Sequence, residues 1–236
     1  MADRLPGSPV IVAIDGPAAS GKSSTAAAVA RELGALHLDS GALYRALTVI
    51  YHDESSGGAD PPPPPERVVQ AAERRGLELR EAGGALVPFL DGKDAEPLLR
   101  SNAVNSLVSK VSTWPPIREW VTTRLRAAAK PGRMLVLDGR DIGSAVFPEA
   151  AVKVFLTATP EARARRRLLQ RGDQAEPETI AREAERLAER DRLDSSRAVA
   201  PLRAAPDAVV LDSTNLDFAE QVGTIVRVVR HALPGV

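Results

Sequence analysis

Eight residues near the start of the chain restrict the folds that it can adopt. Residues 16–23 read Gly-Pro-Ala-Ala-Ser-Gly-Lys-Ser, which fits the pattern G-x-x-x-x-G-K-S. An apolar run at 10–14 has the pattern of a buried strand, and the alanine-rich residues 24–33 favour a helix. In a strand–loop–helix unit, glycines let backbone N–H groups turn toward an anion, and the helix N-terminus adds partial positive charge. The segment therefore predicts a loop that binds the phosphates of a nucleoside triphosphate.

Two side chains of this loop carry chemistry of their own. Lys22 can reach a β- or γ-phosphate, and the hydroxyl of Ser23 can ligate Mg²⁺. The residues predicted to bind the nucleotide at this loop are Gly16, Pro17, Ala18, Ala19, Ser20, Gly21, Lys22, Ser23 and Ser24.

Metal ligation is predicted at one place. The three histidines, His37, His52 and His231, are scattered without the spacing of metal ligands, and we expect them at the surface or at strand ends. Asp138, in contrast, ends an apolar run and is placed like the acidic strand-end residue that supports Mg²⁺ in phosphate-loop enzymes. Ser23 and Asp138 are therefore the predicted metal-site residues.

Composition excludes several classes of protein. The 236 residues suffice for one full core, with or without an inserted subdomain. Basic and acidic residues both number 31, and a net charge of zero argues against a protein that binds nucleic acid through bulk charge. The absence of cysteine excludes disulfides and thiolate chemistry. Apolar stretches are too short to span a membrane and residues 1–6 carry no secretion signal, so we expect a cytoplasmic protein.

Short apolar runs alternate with helical stretches along the chain. We expect strands at 10–14, 35–39, 134–138, 152–156 and 208–212, and helices at 22–33, 41–51, 66–75, 102–111, 115–129, 160–171, 177–193 and 217–232. This alternation predicts an α/β fold with a parallel sheet that helices cover on both faces. Ligands of such sheets gather at the carboxyl ends of the strands, where Asp39, Asp138 and Asp212 stand.

Residues 53–65 interrupt the alternation with a run that ends in five prolines. We expect a stiff linker of the polyproline II type, leading into an inserted subdomain over 66–110. A docking peptide for an SH3-type partner is the alternative. Within the insert, residues 77–80 and 85–90 flank a Gly-Gly pair, as in an antiparallel hairpin.

Charged residues gather after two of the predicted strands. Ser40 is placed as a helix N-cap with Tyr44 and Arg45 one turn later, where a second anion could bind; an ordinary cap with a core tyrosine is the alternative. Charges in the segment 138–141, Asp-Gly-Arg-Asp, would need partners if buried. Asp141 could accept a hydrogen bond from an exocyclic amine, and a solvated turn with an internal ion pair is the alternative.

Arginines are frequent between residues 160 and 197. Arg163, Arg167 and Arg171 fall on one helical face, where like charges repel unless an anion such as a triphosphate offsets them; pairing with nearby acids is the alternative. Arg190, Asp194 and Arg197 also share one face, and an ordinary ladder of ion pairs would explain them equally well.

Together, these segments resemble the bacterial cytidylate kinase family. The matching segments, in the family's order, are 14–24, 38–45, 138–148, 189–202 and 211–214. The strings Gly-Arg-Asp-Ile-Gly-Ser-Ala-Val-Phe-Pro and Arg-Ala-Val-Ala-Pro-Leu are specific, whereas many activities share the phosphate loop. The pentaproline run departs from the family's pattern.

The resemblance implies a phosphate-loop kinase fold. A five-stranded parallel sheet flanked by helices would form the core, 10–52 and 112–234, of a single kinase domain over 1–236, with 66–110 as a monophosphate-binding insert and 160–176 as an arginine-bearing lid. ATP and Mg²⁺ would be the cofactors, and CMP and dCMP the substrates. We expect a monomer, with no nucleic-acid or membrane partner.

Matching positions also imply the roles of individual residues. Cytosine would be held by Ser109, Arg118 and Asp141, the acceptor phosphate by Arg45, Arg140 and Arg197, and the ribose by Ser40, Arg190 and Asp194, with Tyr44 beside the substrate. Catalysis would rest on Lys22, Arg140 and Arg197, with Arg163 and Arg167 from the lid. The ATP base would lie near Asp212, Ser213 and Thr214.

The implied chemistry agrees with these residue types. A carboxylate that accepts from cytosine N4 would face the O4 acceptor of uracil without a proton. The acceptor phosphate is mostly ionised at neutral pH, so no general base is required. A kinase acting on UMP, dTMP or AMP is the closest alternative. A GTP-binding switch would need an Asn-Lys-x-Asp motif, which 214–217 lack, and a scaffold that docks through its prolines is the third alternative.

Overall fold

A computed structural model describes residues 8–56, 61–197 and 199–235 of the chain. Within these ranges the strands are β1 Val10–Asp15, β2 Leu36–Asp39, β3 Glu78–Ala82, β4 Ala85–Leu90, β5 Lys93–Asp94, β6 Met134–Gly139, β7 Val152–Thr157 and β8 Val209–Asp212. The α-helices are α1 Lys22–Glu32, α2 Ser40–Ser56, α3 Pro65–Arg74, α4 Asn102–Val111, α5 Pro115–Ala128, α6 Pro160–Arg171, α7 Pro177–Ser195 and α8 Phe218–Ala232. Every strand and helix predicted from the sequence is confirmed; the ends shift by at most two residues, except that α2 continues five residues beyond the predicted end at 51.

A single sheet in the order β3-β4-β2-β6-β1-β7-β8, with β5 against β4, forms the middle layer. The run from β2 to β8 is parallel, which confirms the predicted five-stranded parallel sheet. Five strands are nevertheless too few for the whole sheet, because the predicted hairpin extends it. The hairpin strand β4 lies beside the free edge of β2, where the N–H of His37 donates to the carbonyl of Gly84 at 3.1 Å.

Helices cover both faces of the sheet, as the pattern of apolar strands requires. One face packs Ile11, Leu135 and Leu137 against α2, α3, α4 and α5. The other packs Val136 and Leu156 against α1 and α8. Successive strand residues alternate between the two cores, since side chains of a strand point to opposite faces in turn.

The two arginine-bearing helices form a separate unit at the end of the sheet. Helices α6 and α7 share a small apolar cluster in which Leu168, Ile180 and Leu187 pack near Ala18 of the phosphate loop. This contact places the predicted lid directly over the loop that follows β1.

The segment predicted as a proline-rich linker is partly helical. Helix α2 continues to Ser56, and α3 begins at Pro65, the last of the five prolines, where a fixed φ suits a first helical turn. Residues 57–60 of this segment, the N-terminal residues 1–6 discussed above and Ala198 of the second specific string lie outside the described residues.

Candidate functional site

The loop between β1 and α1 has the backbone that an anion-binding loop requires. Gly16 has φ of +153°, and a Cβ on it would lie 2.0 Å from the carbonyl oxygen of Leu156. Gly21 has φ of +87°, and Ala19 has φ of +59°. Only glycine avoids strain and collision at residue 16, so the chain can pass directly against β7 as it leaves β1 and leads into the N-terminus of α1.

Lys22 lies inside this loop. Its Nζ donates to the carbonyl of Pro17 at 2.6 Å. Burial, together with the positive charge of Arg140, lowers the pKa of Lys22 to about 8. An ammonium whose charge is this weakly stabilised in the free protein gains from a phosphate placed beside it.

Ser23 and Asp138 meet, as the metal-site prediction requires. Ser23 Oγ lies 2.6 Å from Asp138 Oδ2, although 115 residues separate them in the chain. A hydroxyl and a carboxylate beside a phosphate-binding loop are the hard oxygen donors that Mg²⁺ prefers, so these residues fit that ion. The other carboxylate oxygen, Oδ1, lies 2.7 Å from Nε2 of His37.

Asp39 lies opposite Asp138 in the register of β2 and β6. Burial and the neighbouring Asp138 raise the pKa of Asp39 to about 6. Its Oδ1 accepts the N–H of Gly41 at 2.8 Å at the start of α2. The expectation that Ser40 caps this helix is therefore wrong: Ser40 is its first residue, and its hydroxyl donates to the carbonyl of Asp138 at 2.8 Å.

Asp15 binds the backbone of the segment that follows β6. Its two carboxylate oxygens accept the N–H groups of Ile142 and Gly143 at 2.8 and 2.7 Å, at the start of a π-helical turn over Ile142–Val146. Burial raises the pKa of Asp15 to about 6, although both backbone donors oppose the shift. The sequence places Asp15 after a strand but gives no sign of this contact, which fixes the backbone beside Asp141.

A buried ion pair forms one end of the site. Arg118 and Asp141 are only 7% and 6% exposed, and Arg118 Nη2 donates to Asp141 Oδ2. Arg118 Nη1 also donates to the carbonyl of Ser112 at 3.2 Å, and its guanidinium lies 5.7 Å from the ring centroid of Tyr44. Burial raises the pKa of Asp141 despite the opposing charge of Arg118.

The ion pair of Arg118 and Asp141 lines a cavity with a volume of about 260 Å³. Arginines line much of the rest of it. The guanidinium groups are those of Arg45, Arg100, Arg118, Arg140, Arg167, Arg190 and Arg197. We call it the arginine-lined cavity. Burial lowers the pKa of Arg45, Arg140, Arg167 and Arg190.

The acids of the described residues offset these charges only in part. Asp194 lies 2.8 Å from Arg140 Nε and also pairs with Arg197. Arg167 Nε lies 3.0 Å from Glu183. Within the described ranges, the buried Nε of Arg190 has no hydrogen-bond partner. A cavity with this excess of guanidinium groups fits a multiply charged anion.

The predicted lid arginines have different surroundings. Arg167 faces the arginine-lined cavity, but Arg163 is 4% exposed and does not line it. Arg163 donates to the carbonyls of Ala18 and Ala158 at 2.9 and 3.0 Å and lies 2.7 Å from Asp191. In this structure Arg163 therefore braces the phosphate loop against α7.

The remaining predicted residues do not line the arginine-lined cavity. Ser109 does not line the arginine-lined cavity, whereas Ser112, one turn later on the chain and not predicted, does. Ser213 is buried and receives hydrogen bonds from Arg166, and Thr214 donates to the exposed Asp212. A second cavity of about 510 Å³ adjoins the phosphate loop on the side of β4.

None of the described helices is long and apolar enough to cross a membrane.

Comparison with known proteins is unambiguous about the family. The family model described as cytidylate kinase matches residues 12–231. The cytidylate kinase of Geobacillus kaustophilus HTA426 is 39% identical over 231 residues, covering 95% of this chain and 98% of that protein. Those of Shouchella clausii KSM-K16 and Chlorobaculum tepidum TLS are each 41% identical, covering 93% and 92% of this chain and 96% and 91% of those proteins.

Proposed function

Because this chain belongs to the cytidylate kinase family, we propose that its phosphate loop binds Mg²⁺·ATP and that the arginine-lined cavity binds CMP or dCMP. The enzyme transfers the γ-phosphoryl group of ATP to CMP, which yields CDP and ADP and belongs to pyrimidine nucleotide metabolism. The assignment of groups to the site rests on one observation above all, the buried pair of Arg118 and Asp141 at the end of the cavity.

This pair has the donors and acceptors that recognise cytosine. An ionised carboxylate only accepts hydrogen bonds, so the Asp141 oxygen that Arg118 leaves free would accept from the N4 amine. Arg118 would donate toward N3 and O2. Uracil has an acceptor at position 4, which would leave Asp141 and uracil O4 facing each other without a proton. Tyr44 lines the same cavity, and Ser109 would lie near the base although it does not line the cavity in this structure.

The acceptor phosphate would bind among three arginines of the same cavity, of which Arg140 also donates to the carbonyl of Gly16 at 3.3 Å. Arg45, Arg140 and Arg197 line the cavity, and their positive charges, with those of Arg167 and Arg190, would be offset by the substrate phosphate. Asp194 contacts Arg140 and Arg197, so it holds both side chains in place and would face the ribose.

Catalysis would consist of positioning and charge neutralisation. The phosphate of CMP is mostly ionised at neutral pH, so it can attack the γ-phosphorus without a general base. Lys22 and the arginines would stabilise negative charge as the phosphoryl group moves. Mg²⁺, held by Ser23 and Asp138, would neutralise charge on the β- and γ-phosphates when bound. Helices α6 and α7 would exclude water, and Asp212, Ser213 and Thr214 would lie near the ATP base.

A panel of acceptors tests this assignment directly. With Mg²⁺·ATP, we expect ADP release to be fast with CMP and dCMP and at least about a hundredfold slower, as kcat/KM, with UMP, AMP and dTMP, because the latter leave Asp141 or Arg118 unpaired. The measurement is a coupled ADP assay at matched acceptor concentrations. Equal turnover of UMP would contradict the role given to Asp141.

The binding of Mg²⁺·ATP should weaken as the pH rises through about 8. Burial lowers the pKa of Lys22 to about 8 in the free enzyme, and a bound phosphate would raise it again. Above pH 8 binding must therefore take up a proton, so the dissociation constant increases by up to about tenfold per pH unit, while below pH 8 it stays constant. Calorimetric titration between pH 7 and 9.5 would measure this. In Lys22→Arg, whose guanidinium stays charged, the dissociation constant should not rise over this range.

Location and assembly remain predictions. We expect the enzyme in the cytoplasm and as a monomer, with nucleotides as its partners and neither nucleic acid nor a membrane among them. Size-exclusion chromatography with light scattering, with and without CMP, would measure the oligomeric state directly.

A further inference from the structure

The side chain of His37 contacts the cation site. It is 13% exposed, and its Nε2 lies 2.7 Å from Oδ1 of Asp138. The second oxygen of the same carboxylate, Oδ2, accepts from Ser23 Oγ at 2.6 Å. Because an ionised carboxylate accepts hydrogen bonds but cannot donate them, Nε2 must carry the proton. One carboxylate is therefore held from both sides, by the imidazole and by the hydroxyl of the phosphate loop.

The register of the sheet explains why His37 can reach this carboxylate. His37 and Asp39 lie two residues apart on β2 and thus share a face. Asp39 pairs with Asp138 on β6, and His37 pairs with Val136. Asp138 is therefore the diagonal neighbour of His37, at a distance that a long side chain spans. The backbone of His37 also anchors the hairpin through its N–H and the carbonyl of Gly84.

The contact between His37 and Asp138 also offsets a repulsion between two carboxylates. Asp39 and Asp138 stand directly opposite each other, and like charges in that arrangement repel. Asp39 has a partner in the N–H of Gly41. Without His37, the Oδ1 of Asp138 would face Asp39 with no donor among the contacts described above, and its carboxylate could turn away from Ser23.

We propose that His37 is a positioning residue for the cation site: its Nε2–H holds the carboxylate of Asp138 in the orientation that directs Oδ2 to Ser23. The inference rests on the proposed role of Ser23 and Asp138 in holding Mg²⁺. Groups that hydrogen-bond to a ligating carboxylate orient it, and their loss commonly weakens metal affinity by about 10–100-fold.

The test separates the binding of the cation from the binding of nucleotide. We would measure dissociation constants of a non-hydrolysable ATP analogue by calorimetry, with and without Mg²⁺. In His37→Phe, the gain in affinity from Mg²⁺ should fall about tenfold, whereas affinity for the metal-free analogue and the KM for CMP should change less than about twofold. His37→Gln, whose amide can replace the Nε2–H donor, should restore most of the gain. His231→Phe, at an exposed histidine of α8, is the matched control and should match the wild type.

Two results would overturn the proposal. The first is an unchanged Mg²⁺ gain in His37→Phe, and the second is an equal loss in His37→Phe and His37→Gln. Asp138→Asn distinguishes failure of this inference from failure of the proposed cation site: if Asp138→Asn also keeps the full Mg²⁺ gain, the site itself is misplaced.

A measurement on the wild type covers the case in which His37→Phe does not fold. In ¹⁵N-labelled protein, His37 should show an Nε2-bound proton that exchanges slowly, and Asp138→Asn should shift that resonance. An Nδ1-protonated His37, with Nε2 bare, would overturn the proposal without any variant at residue 37.

Discussion

Replacing Asp141 by asparagine should reduce kcat/KM for CMP by about a hundredfold and shift the preference toward UMP. Arg118 Nη2 donates to one oxygen of Asp141, so the asparagine would turn its carbonyl to Arg118 and its amide to the base. An amide donor repels the N4 amine of cytosine but suits the O4 acceptor of uracil. The ratio of kcat/KM values for CMP and UMP, rather than either value alone, is the decisive measurement.

Loss of stability must be separated from this change of preference. Asp141 is the partner of a buried arginine, and a neutral replacement weakens a pair whose disruption is costly in the interior. Asp207→Asn is a suitable control because it also removes a carboxylate from a buried cation, Lys153, at 2.8 Å, but lines neither cavity. Both variants should melt at a lower temperature than the wild type. Only Asp141→Asn should change the ratio, and an unchanged ratio would remove Asp141 from base recognition.

Local sequence patterns were sufficient to predict the elements and the edge of the sheet at which the site lies. The apolar runs predicted the strands, because a parallel strand that helices cover on both faces is buried along most of its length, as β1 is. Parallel strands then bring their carboxyl ends together, so Asp39 and Asp138 could be placed near the loop of Lys22 before any coordinates.

Contacts between distant segments could not be predicted in this way. Nothing local to 85–90 indicates that this hairpin strand lies beside β2, because that depends on an edge left free by segments elsewhere in the chain. The contact of His37 with Asp138 depends on the register of two strands about a hundred residues apart. His37 was expected at the surface or at a strand end because an isolated histidine in a sequence gives no sign of its partner.

The arginines of α6 are a second case in which local spacing could not predict a contact between distant segments. Their spacing predicted which ones share a helical face, but not which of them faces the cavity. Arg163 and Arg167 are four residues apart, yet Arg163 is bound to Ala18 and Asp191 while Arg167 lines the cavity. Which of the two side chains reaches the cavity depends on the segments packed around α6, namely the phosphate loop and α7.

Lys22→Met should reduce kcat by on the order of a thousandfold while the KM for CMP changes little. The ammonium would stabilise charge that develops on the transferred phosphoryl group, and the burial that lowers its pKa to about 8 also leaves that interaction little screened by water. Methionine keeps an unbranched side chain, which ends where Cε of lysine does, and removes the ammonium with its charge and its hydrogen bonds. Steady-state kinetics with both substrates varied would measure the two constants.

The matched control for Lys22→Met is Lys153→Met, because Lys153 is also a buried lysine but is bound to Asp207 and the carbonyl of Pro148 and lines neither cavity. Lys153→Met should lower the melting temperature and leave kcat of the folded enzyme near that of the wild type. Lys22→Arg should recover part of the lost rate, since it restores the charge but not the compact ammonium that fits between Pro17 and the phosphates. If Lys22→Met instead raised only the KM for ATP, Lys22 would bind ground state and transition state equally, and the charge that speeds transfer would have to come from the arginines alone.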